Sequence, residues 1–338
     1  MRILVVGGSG MIGYYLLPLL VTEGHDVVVM SRGNRSIVAE GITHVKADRR
    51  FMEDASVAVT GNFDVIIDNV AYDSSHAESL CEAFKGRFHH YVVTSTAFVY
   101  EGIETASAGP SRPLREEDAV FAEPLSDAAV HSPHDQYVFQ KRRLEYWLRH
   151  VAPGYGVHVT VIRPLLQIVG PNTEDARFAW FWLRVADGGT VWLPEDARLH
   201  AGPCQLAFSG DVAQAIVKAV THLPSGGYAV YNIGQPELWT YEEYIHALAK
   251  AAGMTVDICY APRKILNQSP FAVNGVYRLP LPYRVAFDVR AAELALELTW
   301  TPMDHWIEET GTWMSQSYKD AAPEWYALRP LEREWSLQ

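Results

Sequence analysis

Cysteine is almost absent from this chain of 338 residues. Cys81, Cys204 and Cys259 stand far apart and are odd in number, which excludes a disulfide framework and leaves buried free thiols as their expected state. Positive charge is scarce as well: 28 lysines and arginines face 40 aspartates and glutamates, for a formal net charge of −12. So acidic a balance argues against a nucleic-acid partner, because duplex binding depends on neutralising phosphates with Lys and Arg. No stretch of about 18 apolar residues occurs, so no segment reads as a membrane span. The first apolar run begins at residue 3 and is needed as a strand, so a secretory leader is not expected and a cytoplasmic protein is. Metal-ligand spacing is missing too. His89-His90 and His131-x-x-His134 have no matching second pair, and no metal site is expected among the 13 histidines.

What the chain does have is an opening strand, Arg2-Ile-Leu-Val-Val6, running straight into Gly7-Gly-Ser-Gly10-Met-Ile-Gly13. Glycines at 7, 10 and 13 suit a turn that must bend tightly, approach a pyrophosphate without a Cβ in the way, and pack a helix closely on a strand. The apolar stretch from Met11 to Val21 reads as that helix, whose N-terminus offers free N–H groups to an anion. A second strand at 26–30 closes the unit, and the whole reads as a dinucleotide-binding turn. Pro18 falls inside the helix and removes one backbone hydrogen bond there.

Strand patterns near 2–6, 26–30, 42–46, 64–68, 90–95 and 157–162 alternate with helical ones near 11–23, 74–85 and 134–150. That alternation predicts an α/β fold with a doubly wound parallel sheet, its ligand at the carboxyl ends of the strands. Residues 1–165 form the predicted dinucleotide-binding Rossmann domain, and residues 166–338 a smaller C-terminal substrate-binding lobe, with about 205–235 returning to the first domain. All ten tryptophans lie from Trp147 onward. Between Glu101 and Asp135 runs an acidic Gly/Pro/Ser-containing stretch that reads as a lid or binding loop. The helix after it has Ser132 as its candidate N-cap and Pro133 in the first turn.

Tyr137-Val-Phe-Gln-Lys141 places a phenol and an ammonium on one helix face. A phenol with a pKa near 10 is a poor proton shuttle at neutral pH; bringing it there requires roughly 4 kcal/mol, which an ammonium about 4 Å away supplies. Lys141 is therefore expected to make Tyr137 more acidic. A second pair at this spacing, Tyr260 and Lys264, contains Pro262 and is set aside. Ser95 and Thr96 end the strand that begins at His90, and either hydroxyl could hold the oxygen that Tyr137 protonates.

These residues resemble the extended short-chain dehydrogenase/reductase superfamily, and within it the nucleotide-sugar epimerase/dehydratase group. The likeness rests on the glycine turn, Tyr137/Lys141, Thr94-Ser-Thr-Ala-Phe-Val-Tyr100, Val161-Ile-Arg-Pro164 with Gly170-Pro171, Gly210-Asp-Val-Ala213, Tyr231-Asn-Ile-Gly234, and Phe287-Asp288 through Pro302. It implies an NAD(P)-dependent enzyme, an epimerase or a reductase, that transfers hydride between a nicotinamide and a secondary alcohol or ketone of a sugar-like substrate such as a nucleotide sugar, with Thr96, Tyr137 and Lys141 catalytic. Gly7, Gly10, Met11, Ile12, Gly13, Ser31, Arg32, Arg35, Asp48, Ala71, Tyr137, Lys141 and Pro164 are then candidate cofactor contacts. Tyr72, Phe98, Trp180, Arg184, Trp192 and Arg284 are candidate substrate contacts. The family's dehydratases resemble one another in an Asp-Glu pair directly after the catalytic Thr; here Ala97 and Phe98 stand there, which disfavours dehydration. Where an NAD site usually carries an acid after the second strand, this chain has Ser31-Arg32 with Arg35 nearby, so NADP is expected over NAD. Met30-Ser-Arg-Gly33 and Phe63-Asp-Val-Ile-Ile-Asp68 resemble the branch that includes chloroplast stem-loop-binding proteins and related reductases. A reductase of a non-sugar carbonyl, or a non-catalytic RNA-binding relative, is the alternative reading. A homodimer is expected from the family likeness.

Overall fold

Seven short apolar segments line up as a single parallel sheet. The computed structural model describes residues 1–37, 39–102, 112–119, 121, 130–165, 167–173, 176–195, 205–269, 286–319 and 322–335. The strands are β1 (Arg2–Val6), β2 (Asp26–Ser31), β3 (Thr43–Lys46), β4 (Val65–Asp68), β5 (His90–Thr94), β6 (His158–Pro164) and β7 (Tyr228–Ile233), in the spatial order β7-β6-β5-β4-β1-β2-β3. Winding reverses between β1 and β4, and in open α/β sheets the crevice at that reversal is where ligands bind. The central strands read Val, Ile and Leu throughout because both faces are covered: Ile3, Leu4, Val5, Ile66, Ile67, Val92 and Val93 are all fully buried. Each such side chain contributes about 1.5–3 kcal/mol of burial.

Helices α1 (Met11–Thr22) and α5 (Ser209–Thr221) pack together on one side of the sheet. On the other side, α2 (Met52–Ala58), α3 (Ser74–Ala83) and α4 (Pro133–His150) join a core that includes Leu4, Ile66, Tyr91, Leu80, Leu144 and Leu148. α1 runs through Pro18 as one helix. α4 starts as its sequence predicts, with the Ser132 hydroxyl accepting from the Asp135 N–H at 3.1 Å and Pro133 in the first turn.

Contacts divide the chain into two units. The sheet unit comprises Met1–Ile168, Leu206–Pro236 and Phe287–Trp300; the second comprises Val169–Gln205, Glu237–Ala286 and Thr301–Gln338. The segment Phe287–Trp300 has no counterpart in the domain boundaries read from sequence. It is tied to the sheet unit because the Asp288 N–H donates to the Leu114 carbonyl at 2.7 Å and the Phe287 ring lies 5.4 Å from that of Tyr100.

Within the second unit, tryptophans form core. Trp182 stacks on Phe178 with ring centroids 6.1 Å apart, donates its indole N–H to Ser315 at 3.0 Å, and lies so close to Gly311 that a Cβ there would sit 2.2 Å from its ring. Among the described residues no helix is long and apolar enough to cross a membrane. Most of the acidic stretch between Glu101 and Asp135 lies outside the described residues, as do Cys204 and Arg284.

Candidate active site

The three glycines after β1 are glycine for different reasons. Gly7 has φ +84°, and a Cβ there would meet Val70 at 2.6 Å. At Gly13 a Cβ would stand 1.9 Å from the Gly8 carbonyl oxygen, so the helix lies on the strand as closely as backbone permits. Gly10 differs: its φ is −94° and a Cβ would meet nothing within 4 Å. Packing does not demand glycine at that position, whereas a pyrophosphate approaching the backbone does. Gly10 also opens α1 with no side-chain cap, leaving the first-turn N–H groups around Met11, Ile12 and Gly13 to an external anion. The residues present thus fit a dinucleotide.

Across the sheet's reversal point, Thr96, Tyr137 and Lys141 come together. Thr96 is 7% exposed, accepts the Phe98 N–H at 3.3 Å, and its hydroxyl is close enough to the Tyr137 phenol to lower its pKa. Ser95 points elsewhere, its hydroxyl donating to Glu145 Oε1 at 2.5 Å. Residue order alone leaves the two hydroxyls undivided; the geometry divides them as the family resemblance implies, with Thr96 at the phenol. The Tyr137 ring sits between Tyr72 and Phe98, at 6.5 and 6.2 Å between centroids.

Lys141 is buried and donates to the carbonyl oxygens of Ala71 at 2.7 Å and Thr94 at 3.0 Å. Burial pushes its pKa down to about 8, although Asp68 and Glu145 pull the other way. Its Nζ lies 5.1 Å from the Tyr72 ring centroid and 6.0 Å from that of Tyr137. The expected acidification of Tyr137 does not follow from this arrangement. Burial raises the Tyr137 pKa, the Thr96 hydroxyl lowers it, and Tyr72 raises it further, with a net upward direction. The ammonium is turned to two main-chain carbonyls, and burial of the phenol sets the direction.

Behind this trio lies a buried polar network. Glu145, one turn along α4 from Lys141, takes Arg163 at 3.0 and 2.5 Å, both side chains being 2% exposed. Arg163 also donates to the Tyr100 hydroxyl at 2.7 Å and to the carbonyls of Glu116 and Ala119; Tyr100 in turn donates to Asn232 at 2.8 Å. Arg163 stands beside Pro164 at the end of β6, so the network ties α4, β6 and the strand end bearing Thr96 into one piece. A second buried pair, Arg49 on Asp68 at 2.8 Å, is joined by the Tyr91 hydroxyl at 2.9 Å.

A glycine turn feeding a helix, a Tyr and Lys on one helix face, and a hydroxyl at the end of β5 are the parts of a nicotinamide enzyme, and the model of the NAD dependent epimerase/dehydratase family matches residues 3–234. The chain belongs to that family. Among its relatives, the chloroplast stem-loop binding protein of 41 kDa b of Arabidopsis thaliana is 26% identical over 89% of this chain and 75% of its own. UDP-glucose 4-epimerase of Corynebacterium glutamicum is 23% identical over 78% and 84%, and 2'-dehydrokanamycin reductase of Streptomyces kanamyceticus 25% over 74% and 67%. Among solved structures, a UDP-glucose 4-epimerase superposes with a TM-score of 0.71 at 19% identity, covering 96% of this chain and all of that one, which shows the fold.

For this family member the remaining predicted contacts fall into three groups. Tyr72 and Phe98 flank Tyr137, with Tyr72 48% exposed, and Ala71 supplies a carbonyl to Lys141. Ser31, Arg32 and Arg35 gather at the end of β2, while Asp48 is turned to its own neighbour, accepting from the Arg50 N–H and guanidinium, which holds its pKa at about 2. Trp180, Arg184 and Trp192 belong to the second unit. Arg184 is 2% exposed, lies 3.8 Å above the Trp180 ring, and is paired with Glu332 at 2.9 and 2.7 Å, an arrangement that serves the core of that unit rather than an open contact surface. Trp192 packs edge-on against Trp335 at 4.6 Å. Sequence reasoning missed the Glu145–Arg163 pair; the signal was a carboxylate at i+4 from Lys141 on a helix face otherwise apolar.

Proposed function

We propose that this chain is an NADP-preferring oxidoreductase or epimerase that acts on a secondary alcohol or the matching ketone of a sugar-like substrate, and works as a homodimer. The observation that carries the reading is the gathering of Thr96, Tyr137 and Lys141 at the carboxyl ends of the strands, with the Thr96 hydroxyl close enough to the Tyr137 phenol to lower its pKa and the Lys141 Nζ 6.0 Å from the Tyr137 ring centroid. Tyr137 moves the proton at the reacting oxygen, and Thr96 holds that oxygen in place. Lys141 keeps a positive charge close to the phenol, anchored by Ala71 and Thr94. When bound, the nicotinamide supplies hydride or accepts it. Elimination of water lacks support, because Ala97 is buried and neither it nor Phe98 is an acid or base.

Support for a sugar-like substrate comes from relatives named for UDP-glucose and 2'-dehydrokanamycin. Support for NADP comes from Ser31, Arg32 and Arg35 at the end of β2, where a guanidinium suits a 2′-phosphate. Screening UDP-, dTDP- and GDP-sugars and simple ketosugars with NADP+ or NADPH, while following nicotinamide absorbance, tests the reading. Turnover of at least one of them is expected, as an absorbance change for a reductase or as a C-epimer seen by NMR for an epimerase; neither with any of them, in a protein that binds cofactor, would overturn it. Sedimentation velocity tests the dimer.

A further inference from the structure

His134 stands one turn ahead of Tyr137 on α4, and residues 134, 137, 141 and 145 follow the spacing of a single helix face. Tyr137, Lys141 and Glu145 have their partners in the crevice and in the network behind it. His134 has a partner of its own: its Nε2 lies 2.6 Å from Glu101 Oε2, with the two side chains 40% and 30% exposed. The imidazole meets the Phe98 ring edge-on at 5.1 Å between centroids, and the Tyr137 ring meets that same ring edge-on at 6.2 Å. His134 therefore extends the wall made by Tyr72, Tyr137 and Phe98.

Glu101 is held in place for this contact. It follows the short helical turn Ala97–Tyr100 that Thr96 caps, and its N–H donates to the Phe98 carbonyl at 3.1 Å. Arg142, from α4, donates to the Glu101 carbonyl oxygen and, at 3.1 Å, to that of Val99. The turn that carries Thr96 thus also carries the carboxylate that meets His134. A carboxylate accepts and does not donate, so Nε2 bears the proton at this bond and Nδ1 is the ring's other polar atom. Among the described residues Nδ1 has no hydrogen-bond partner. Asp135, next along the helix, is occupied by the Ser132 hydroxyl at 2.8 Å and the His131 N–H at 3.1 Å. Neutral imidazole presents a lone pair at Nδ1 and imidazolium an N–H, and a hydroxyl answers either.

We propose that His134, aimed by Glu101, binds a second hydroxyl of the substrate close to the carbon that reacts at Tyr137, and so selects polyhydroxylated alcohols and ketones over their deoxy analogues. The proposal rests on the reading of Tyr137 as the group at the reacting oxygen and adds the residue that recognises what lies beside it. Side chains three apart on a helix have Cβ atoms about 5–6 Å apart, so one small sugar ring can reach both. A site built around a polar atom disfavours a ligand that leaves that atom unanswered, which is how a single hydroxyl comes to decide specificity. Glu101 is a positioning residue that acts through His134.

Gln and Asn at position 134 separate this role from a structural one. The side-chain amide of Gln reaches the place of Nε2 and keeps the link to Glu101, whereas that of Asn reaches the place of Nδ1 and gives the link up. With whichever sugar of the screen turns over, His134→Gln is expected to raise KM about tenfold with kcat within about threefold, as loss of a hydrogen bond to bound substrate does. His134→Asn, which keeps the substrate contact, should raise KM only about threefold. Glu101→Ala should raise it about fivefold and Glu101→Gln much less, since the amide oxygen still accepts from Nε2. The unaltered protein should favour the sugar over at least one of its monodeoxy analogues by about tenfold in kcat/KM, and His134→Gln should bring the two within about twofold. NADPH affinity, titrated by fluorescence, should change in none of these variants. The reverse order, Gln silent and Asn damaging, would show that His134 only ties down Glu101 and would overturn the proposal, as would one KM shared by every variant. An inactive Tyr137→Phe variant would then leave the wider reading standing. No turnover of any sugar by the cofactor-loaded protein would overturn that reading and this proposal with it.

Discussion

Glu145 directs both carboxylate oxygens at Arg163 rather than at Lys141, which precedes it by one turn on the same helix. The consequence is a division of labour along α4. Its upper turns present Tyr137 and Lys141 to the crevice, and the turn below is bolted to β6 and to Ser95. Removing one partner of a buried ion pair leaves the other charge without an answer, and this costs about 3–5 kcal/mol. Glu145→Gln and Arg163→Met are each expected to lower stability by that order, measured as the shift of the urea midpoint. The double variant Glu145→Leu/Arg163→Met should recover much of the loss, because both charges are then gone. Two single variants with unchanged midpoints would show that the pair is not what holds α4.

The glycines offer a contrast within one turn. Gly13→Ala forces a methyl against the Gly8 carbonyl and should destabilise the cofactor-free protein by several kcal/mol. Gly10→Ala meets no protein atom and should leave the melting temperature of the cofactor-free protein unchanged. It should nevertheless weaken NADPH and NADH alike by at least tenfold, since the methyl intrudes on the pyrophosphate. Unimpaired binding of both cofactors by Gly10→Ala would remove the glycine turn from the binding site.

Lys141 gives a dependence on pH. Its pKa is about 8 in the folded chain against an ordinary value of 10.5, so between those values the unfolded chain binds the proton more readily. The contribution to stability is therefore full above pH 10.5 and lost as pH falls through 8, an effect on the order of 3 kcal/mol. Urea melts of the unaltered protein and of Lys141→Met, taken in parallel from pH 7.5 to 10, should diverge with rising pH in favour of the unaltered protein. A difference that stays constant over this range would place Lys141 in contact with water.

Tyr137→Phe removes the hydroxyl proposed to move the proton and should lower kcat by about a hundredfold or more on whichever substrate reacts. Cofactor affinity should change little, which separates lost chemistry from lost binding. A fully active Phe variant would transfer the acid–base role to another group.

Much of the fold was legible because strands buried on both faces must be apolar throughout: β1, β2, β4 and β5 announce themselves as unbroken runs, and Gly7, Gly10 and Gly13 fix the first crossover. The trio Thr96, Tyr137 and Lys141 was legible for a related reason, since helix spacing and a strand end determine which side chains can meet. What sequence could not show is where polar atoms turn once they arrive. Nothing in the residue order says that Lys141 would choose the carbonyls of Ala71 and Thr94, that Ser95 would turn to Glu145, or that Arg184 would be drawn into the core by Glu332, 148 residues later. Those outcomes depend on long-range partners. The return of Phe287–Trp300 to the sheet unit was hidden for the same reason, its anchors being the Leu114 carbonyl and the Tyr100 ring.

That Lys141 is gripped by main-chain oxygens rather than by side chains has an evolutionary consequence. Positions 71 and 94 can exchange one residue for another without loosening the ammonium, since every amino acid carries the same carbonyl. A lineage built on this scaffold is thus free to recarve the walls around Tyr72 and Phe98 while the lysine beside Tyr137 stays put.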